Sequence, residues 1–300
     1  MNMVLFIGNG LNHVDKVSIS WNALLESLSA EDTNYISEFL SMTLRFEYID
    51  AVSEDKALEI KRKVAKKTGE KASEIKGKKN SLHARLMRLP IQTIITTNYD
   101  YALELSADIS FVPRRTTAEQ LYSFYRKQQA ADKTVYHVHG ECRYPNSICL
   151  GFEHYAGMLE KMRSKLVLST SAGNPDKRFH LYDVLTGLTD PDDAWYYEFF
   201  KNDIYFLGFG FDSSEEDIWW LITYRRRLKE QYPDLVKNQL VFLDTTPENK
   251  LNKPKERAKR TVLKAMDVQI KKQKGRTYRE KTISAIQFLE QIENEEATHV

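Results

Sequence analysis

Thiols are almost missing from this chain. Only Cys142 and Cys149 occur among 300 residues, so no disulfide framework organises the fold. Long apolar runs are missing too, and none approaches the roughly 20 residues that cross a bilayer. The opening MNMVLFIGNG lacks the basic start and extended apolar core of a secretory signal, which makes the cytoplasm the expected compartment. No internal repeat is visible and low-complexity sequence is slight. A strong charge of one sign is also lacking, the formal net charge being +2. The charge is nonetheless uneven, for Lys250 to Lys281 holds 13 Lys/Arg against 3 Asp/Glu. Such a stretch can attract phosphates or nucleic acid. Its cations are spread over several expected elements, however, and no nucleic-acid motif accompanies them. A solvated surface is the preferred reading, with direct nucleic-acid binding not expected.

What is present is an ordinary globular composition, 42% hydrophobic and 11% aromatic. The length suffices for one large α/β domain or two small ones, and either buries a substantial core. Short apolar runs read as strands at Met3–Ile7, Ile91–Thr97, Thr134–His139, Ile204–Leu207, Leu240–Leu243 and Val268–Lys271, with a weaker one at Ile109–Val112. Helical spacing marks the segment from Ser20 through Trp21, Leu24, Leu25 and Leu28, then Thr117–Gln129, Glu215–Glu230 and Tyr278–Ile292. Residues 31–88 look mostly helical, the Lys- and Glu-rich part from Glu54 to Lys79 exposed, and Pro90 stops the last helix. Residues 152–200 show many aromatics and no clear strand, which predicts a helical insertion or cap. The alternation predicts an α/β fold: a Rossmann-like parallel sheet with helices on both faces and helical insertions.

Ligands of open parallel sheets bind beyond the carboxyl ends of the strands, so the residues after each strand carry the functional question. After the first strand comes Gly8-Asn9-Gly10. Glycines there let the backbone approach a phosphate, although a glycine turn without a ligand fits equally well. The full dinucleotide fingerprint needs a third glycine where His13 stands, and no acidic second-strand end is seen, so hydride-transfer chemistry is disfavoured. After Ile91–Thr97 comes Asn98-Tyr99-Asp100. An Asx turn capping the next helix explains both polar residues; a carboxamide and a carboxylate facing a ribose or a water would explain them too. His139 ends its strand before Gly140, placed either as a general base or as a satisfied structural histidine. His137, Cys142, Cys149 and His154 match no common zinc spacing, and no metal is expected. Gly208-Phe209-Gly210 ends another strand, and Asp212, Ser213 and Ser214 offer N-caps to the helix that follows, compatible with a second phosphate or ribose loop.

In order, GNG, SWNALL, LPIQTIITTNYD, HVHG and LGFGFD resemble the sirtuin-like NAD-binding family, in the branch of bacterial NAD-consuming proteins. The likeness spans most of the chain and implies one NAD-binding domain over residues 1–300, with insertions near 31–88 and 152–200. It implies that Gly8 and Gly10 approach the NAD diphosphate, that Asn98 lies beside the nicotinamide ribose with Asp100 in the same motif, and that Asn98, Asp100 and His139 are the catalytic residues. By the same likeness Asn9, Asn12, Thr97, Gly208, Gly210 and Asp212 belong to the NAD-binding loops. The chain departs from the sirtuin deacylases: two cysteines cannot build their four-cysteine zinc module. Asn9 stands for alanine, Asn12 for serine and Thr97 for glutamine. Those departures shift the expectation from deacylation to hydrolysis of NAD, in anti-phage defence, with NAD as substrate and no metal. The expected partners are further copies of the chain, a separate defence protein such as an ATPase, or both. A sensor of NAD or ADP-ribose and an ADP-ribosyltransferase are the alternatives.

Overall fold

The protein is described by a computed structural model over residues 2–28, 40–115, 121–167 and 180–298. Its strands are β1 (Met3–Ile7), β2 (Thr93–Thr96), β3 (Lys127–Ala130), β4 (Lys133–His137), β5 (Asp203–Leu207), β6 (Leu240–Asp244) and β7 (Val268–Lys272). They form one sheet in the order β3-β4-β2-β1-β5-β6-β7. Only β3 is antiparallel to its neighbour; every other pairing is parallel. The chain builds outward from β1 in one direction, then crosses back to β5 and builds in the other. That reversal opens a crevice at the carboxyl ends of β1 and β5, the switch point of a doubly wound sheet.

Around the sheet lie α1 (Gly10–Val14), α2 (Trp21–Glu26), α3 (Met42–Val52), α4 (Ala57–Ser73), α5 (Leu82–Leu86) and α6 (Ala102–Ala107). They are followed by α7 (Phe152–Leu166), α8 (His180–Leu185), α9 (Glu198–Lys201), α10 (Glu216–Gln231), α11 (Pro254–Ala265) and α12 (Tyr278–Thr298). Serines set several of the starts. Ser20, Ser41 and Ser81 accept the backbone N–H of Ala23, Leu44 and Ala84, satisfying donors that a helix end leaves open.

Two-residue alternation divides β1 between two cores. Met3, Leu5 and Ile7 pack with α1, α5 and α12 on one face. Val4 and Phe6 point the other way, into the larger cluster with α7, α9 and α10. Phe6 meets Phe199 edge-on at 5.9 Å and Phe206 at 5.0 Å. In segment 152–200, residues 168–179 lie outside the described residues. Helices α8 and α9 are joined by an irregular stretch at 186–194 and a short 3-10 turn at Trp195–Tyr197, but the segment is no loose cap. Trp195, Tyr196, Phe199 and Phe200 are buried and supply one wall of the main core.

Two expectations need correction. Ile109–Val112 is not a strand: Ile109 is 62% and Val112 74% exposed, with no neighbouring strand to pair with. The helix expected over Thr117–Gln129 is not formed at its end. Residues 116–120 lie outside the described residues, and Lys127–Ala130 is strand β3, a hairpin partner of β4 turned through Ala131 at φ 53°. The sequence KQQA hides that strand because its buried side chain is polar. Gln128 is accommodated by hydrogen bonds to the Arg114 carbonyl (2.8 Å) and to Glu141 (2.7 Å). Residues 31–39 of the expected helical insertion also lie outside the described residues.

Candidate functional site

The loops after β1 and β5 cross at close range, and glycine makes the crossing possible. Gly8 N–H donates to the Leu207 carbonyl at 3.0 Å, and Gly10 N–H to the Gly208 carbonyl at 2.9 Å. A Cβ on Gly8 would stand 2.5 Å from Phe209 Cα; one on Gly10 would stand 2.7 Å from the Gly208 oxygen and run into the Tyr278 hydroxyl. Gly208 itself has φ +69°, open to glycine at no steric cost. A Cβ on Gly210, by contrast, meets open space.

Beside this crossing a cleft of about 590 Å³ opens over the strand ends. Asn9, Gly10, Thr97, Asn98, Asp100, His139, Gly208, Gly210 and Asp212 all line it. Gly8 and Asn12 are not on its wall. Gly8 is the packing point just described. Asn12 is buried one layer deeper, where its Nδ2 donates to Asp100 Oδ2 at 2.8 Å and its Oδ1 faces His83 Nε2 at 2.7 Å. His83 Nδ1 in turn lies 2.7 Å from Asp15. Asp100 therefore stands at the end of a chain of polar groups rooted in α1 and α5. Its other oxygen accepts the Ala102 N–H at 3.0 Å, the Asx-type turn that starts α6.

Asn98 is held through its backbone. Thr96 Oγ1 donates to the Ile7 carbonyl and accepts the Asn98 N–H at 3.1 Å. The Asn98 carbonyl faces His137 Nδ1 at 3.0 Å, while His137 Nε2 pairs with Glu104 at 2.7 Å. Burial works against a charge on His137, but Glu104 outweighs it and the pKa is raised to about 9. His137 is thus an internal cation under the cleft floor.

His139 is only 1% exposed, at the edge of the cleft. Its Nε2 lies 2.9 Å from Asp217 Oδ2. Its Nδ1 lies 3.4 Å from Glu215 Oε2 and 3.4 Å from the Tyr155 hydroxyl, with the Tyr155 ring edge-on at 5.0 Å. Burial opposes the imidazolium, yet the two carboxylates raise the His139 pKa overall. Burial also pushes Glu215 up to about 7, with His139 pulling the other way. Donor atoms of His139, Glu215 and Asp217 fall within 4.8 Å of one another, the one group among the described residues compact enough for a metal ion. Of the two carboxylates, Asp217 lies nearest Nε2 and Glu215 nearest Nδ1. His137, Cys142, Cys149 and His154 form no such group.

Charged groups of both signs line the cleft. Glu215 and the buried Asp217 flank His139, whereas Lys250, Glu256 and Lys259 line the cleft with Thr245–Pro247, Lys259 pairing with Glu256 at 2.7 Å. Tyr155, Glu215, Asp217, His83 and Glu104 were not legible as site residues. The one signal for the acidic pair is the run SSEED, which reads as ordinary capping of α10. In the structure Asp212 accepts from the Ser214 N–H at 3.1 Å, and α10 begins at Glu216.

A crevice at the switch point of a parallel sheet, with crossing glycine loops and polar strand ends, defines an α/β domain with a candidate ligand site at its strand ends. The SIR2-like domain model matches residues 92–270, more than half of the chain, and the protein belongs to that family. The match runs from the start of β2 into β7 and so contains TTNYD, HVHG and LGFGFD, while GNG lies before it. Membership points to NAD as the ligand and to NAD-dependent chemistry. No curated protein matches the chain. Among the described residues, no helix is long and apolar enough to cross a membrane.

Proposed function

We propose that the protein hydrolyses NAD at the bond between nicotinamide and ribose, giving nicotinamide and ADP-ribose. The observation that carries this reading is the meeting of Asn98, from the end of β2, with His139, from beyond β4, in one cleft with both glycine loops. The leaving group is a neutral ring departing from a cation, so positive charge develops on the ribose as the bond breaks. The Glu215 and Asp217 carboxylates beside His139 suit that charge, and Lys250 on the cleft wall suits a diphosphate. Asn98 holds the attacking water or the ribose, and His139 accepts the proton the water loses. The water oxygen bonds to the anomeric carbon, and the electron pair of the broken bond leaves with nicotinamide.

Incubation with NAD tests the reading. Free nicotinamide and ADP-ribose in equal amounts are expected from the wild type. Asn98→Ala and His139→Ala each lose about 10²- to 10⁴-fold in rate, the range of general acid–base help. Full activity in folded His139→Ala refutes the assignment. A labelled acceptor in place of free ADP-ribose marks a transferase, and bound but intact NAD marks a sensor. Depletion of NAD in infected cells, with self-assembly or a separate defence protein such as an ATPase as the trigger, completes the proposal. Expression of wild type and His139→Ala during phage challenge checks it, protection by both alike counting against it.

A further inference from the structure

Asp217 has no exposed surface, and its Oδ2 lies against one nitrogen of the histidine that ends at the cleft. Its other oxygen, Oδ1, has no hydrogen-bond partner, and neither has the buried Oε2 of Glu215. Around them stand Tyr99, Tyr155 and Cys149, whose protons burial holds in place, Cys149 being pushed up to about 12. Asp212 is the remaining charged group that acts on Glu215. An ionised Asp217 therefore has one strong option, to accept a proton held on His139 Nε2.

We propose that Asp217 is the positioning residue for proton transfer, fixing His139 as the Nε2–H tautomer so that Nδ1 takes the proton from the attacking water, with Glu215 a negative neighbour that favours the protonated ring. The inference rests on the hydrolase reading above. Nδ1 is the available atom because its two protein neighbours stand at 3.4 Å, too far to engage it strongly. The water O–H bond breaks as its oxygen bonds to the anomeric carbon, and the proton passes to Nδ1. The logic is that of a base oriented by a buried carboxylate, which acts without itself becoming protonated. Asp217 and Glu215 both raise His139, and His139 in turn pulls down Glu215, which burial pushes up to about 7.

Asp217→Asn separates charge and tautomer from packing. Its amide N–H donates to Nε2, which moves the ring proton to Nδ1 and blocks the acceptor. Nicotinamide release is expected to fall about 10²- to 10⁴-fold, while NAD binding, read by calorimetry, stays within a few-fold. Glu215→Gln removes a negative neighbour of His139, so the rising limb of the rate–pH profile moves to lower pH. Nitrogen-15 spectra of the histidine rings in the full chain, recorded above the pH at which the His139 ring loses its second proton, are expected to show Nε2–H on His139 of the wild type, and Nδ1–H in Asp217→Asn. Wild-type rate and an unshifted limb in folded Asp217→Asn overturn the inference, as does Nδ1–H on His139 of the wild type. If Asp217→Asn does not fold, the wild-type ring spectrum and the Glu215→Gln profile decide. A wild type that releases no nicotinamide counts against the hydrolase reading, while the ring spectra still decide the role of Asp217.

Discussion

His137 and His139 stand two residues apart at the end of β4, both buried and each against a buried carboxylate, and yet their surroundings differ in one respect. Both nitrogens of His137 are engaged at 3.0 Å or less, by Glu104 and by the Asn98 carbonyl. His139 has one such bond, to Asp217, and its second nitrogen faces looser neighbours beside the cleft. The first arrangement is closed: its charge is neutralised within the protein and holds a backbone segment in place. The second keeps an atom in reserve. Burial and a carboxylate partner are common to both and so do not separate them; under the proposed mechanism the nitrogen left without a strong partner does.

The largest test of this contrast is stability. His137→Ala strands Glu104 in a closed interior, and removing one member of a buried pair costs about 3–5 kcal/mol. A fall in melting temperature on the order of 10 °C follows for a chain of this size. His139→Ala leaves Asp217 next to a cleft that water can enter, so melting stays within a few degrees while nicotinamide release is lost. Equal destabilisation in the two variants erases the distinction. The pH dependence sharpens it. The folded pKa of His137, about 9, lies above the ordinary value near 6.5. Its contribution is fully present below pH 6.5 and is lost as pH rises through 9. Melting temperature should therefore decline from pH 7 to 10 in the wild type, and decline less in His137→Gln.

The same contrast explains what could be read in advance. β1, β5 and β6 are buried, apolar runs, and such runs announce themselves. β3 does not, because Gln128 is buried through polar partners supplied by Arg114 and Glu141, far from it in sequence. Ile109 and Val112 misled for the opposite reason: β-branched residues left in solvent mimic a strand. At the site, the strand-end rule located Asn98, His139 and the glycine loops. It could not locate Asp217, which joins His139 across 78 residues, nor His83, which reaches Asn12 across 71. Glu215 and Asp217 carry the same local pattern as any acidic helix start. Only the crossover that lays α10 beside the end of β4 gives them a histidine to face.

A smaller effect is expected on the Asp100 side of the cleft. Asn12→Ala removes the donor to Asp100 and the partner of His83 together, at a buried position. Losing a buried hydrogen bond to a charged group costs about 1.5–3 kcal/mol, visible as a lower urea midpoint. Nicotinamide release should fall by about tenfold, less than in His139→Ala, since about 1.4 kcal/mol corresponds to that factor. A loss as deep as that of His139→Ala would place Asp100, and not His139, at the centre of the chemistry.

The smallest expected effect separates the glycines that shape the crossing from one that faces the cleft. Gly10→Ala sets a methyl group against the Gly208 carbonyl, a backbone atom that cannot swing aside, and against the Tyr278 hydroxyl. The loops must part, so the variant melts lower even without NAD. Gly210→Ala meets nothing within 4 Å, and its φ is not in the left-handed region. Stability should stay within about 0.5 kcal/mol of wild type, as for a substitution without a steric or backbone penalty. The new methyl group stands on the cleft wall, so its effect falls on the ligand, as a rise of a few-fold in KM for NAD with kcat unchanged. Such a split marks a contact made equally in the ground and transition states. A lower kcat with an unchanged KM would instead put Gly210 beside the reacting bond, and the phosphate-or-ribose assignment of its loop would have to move.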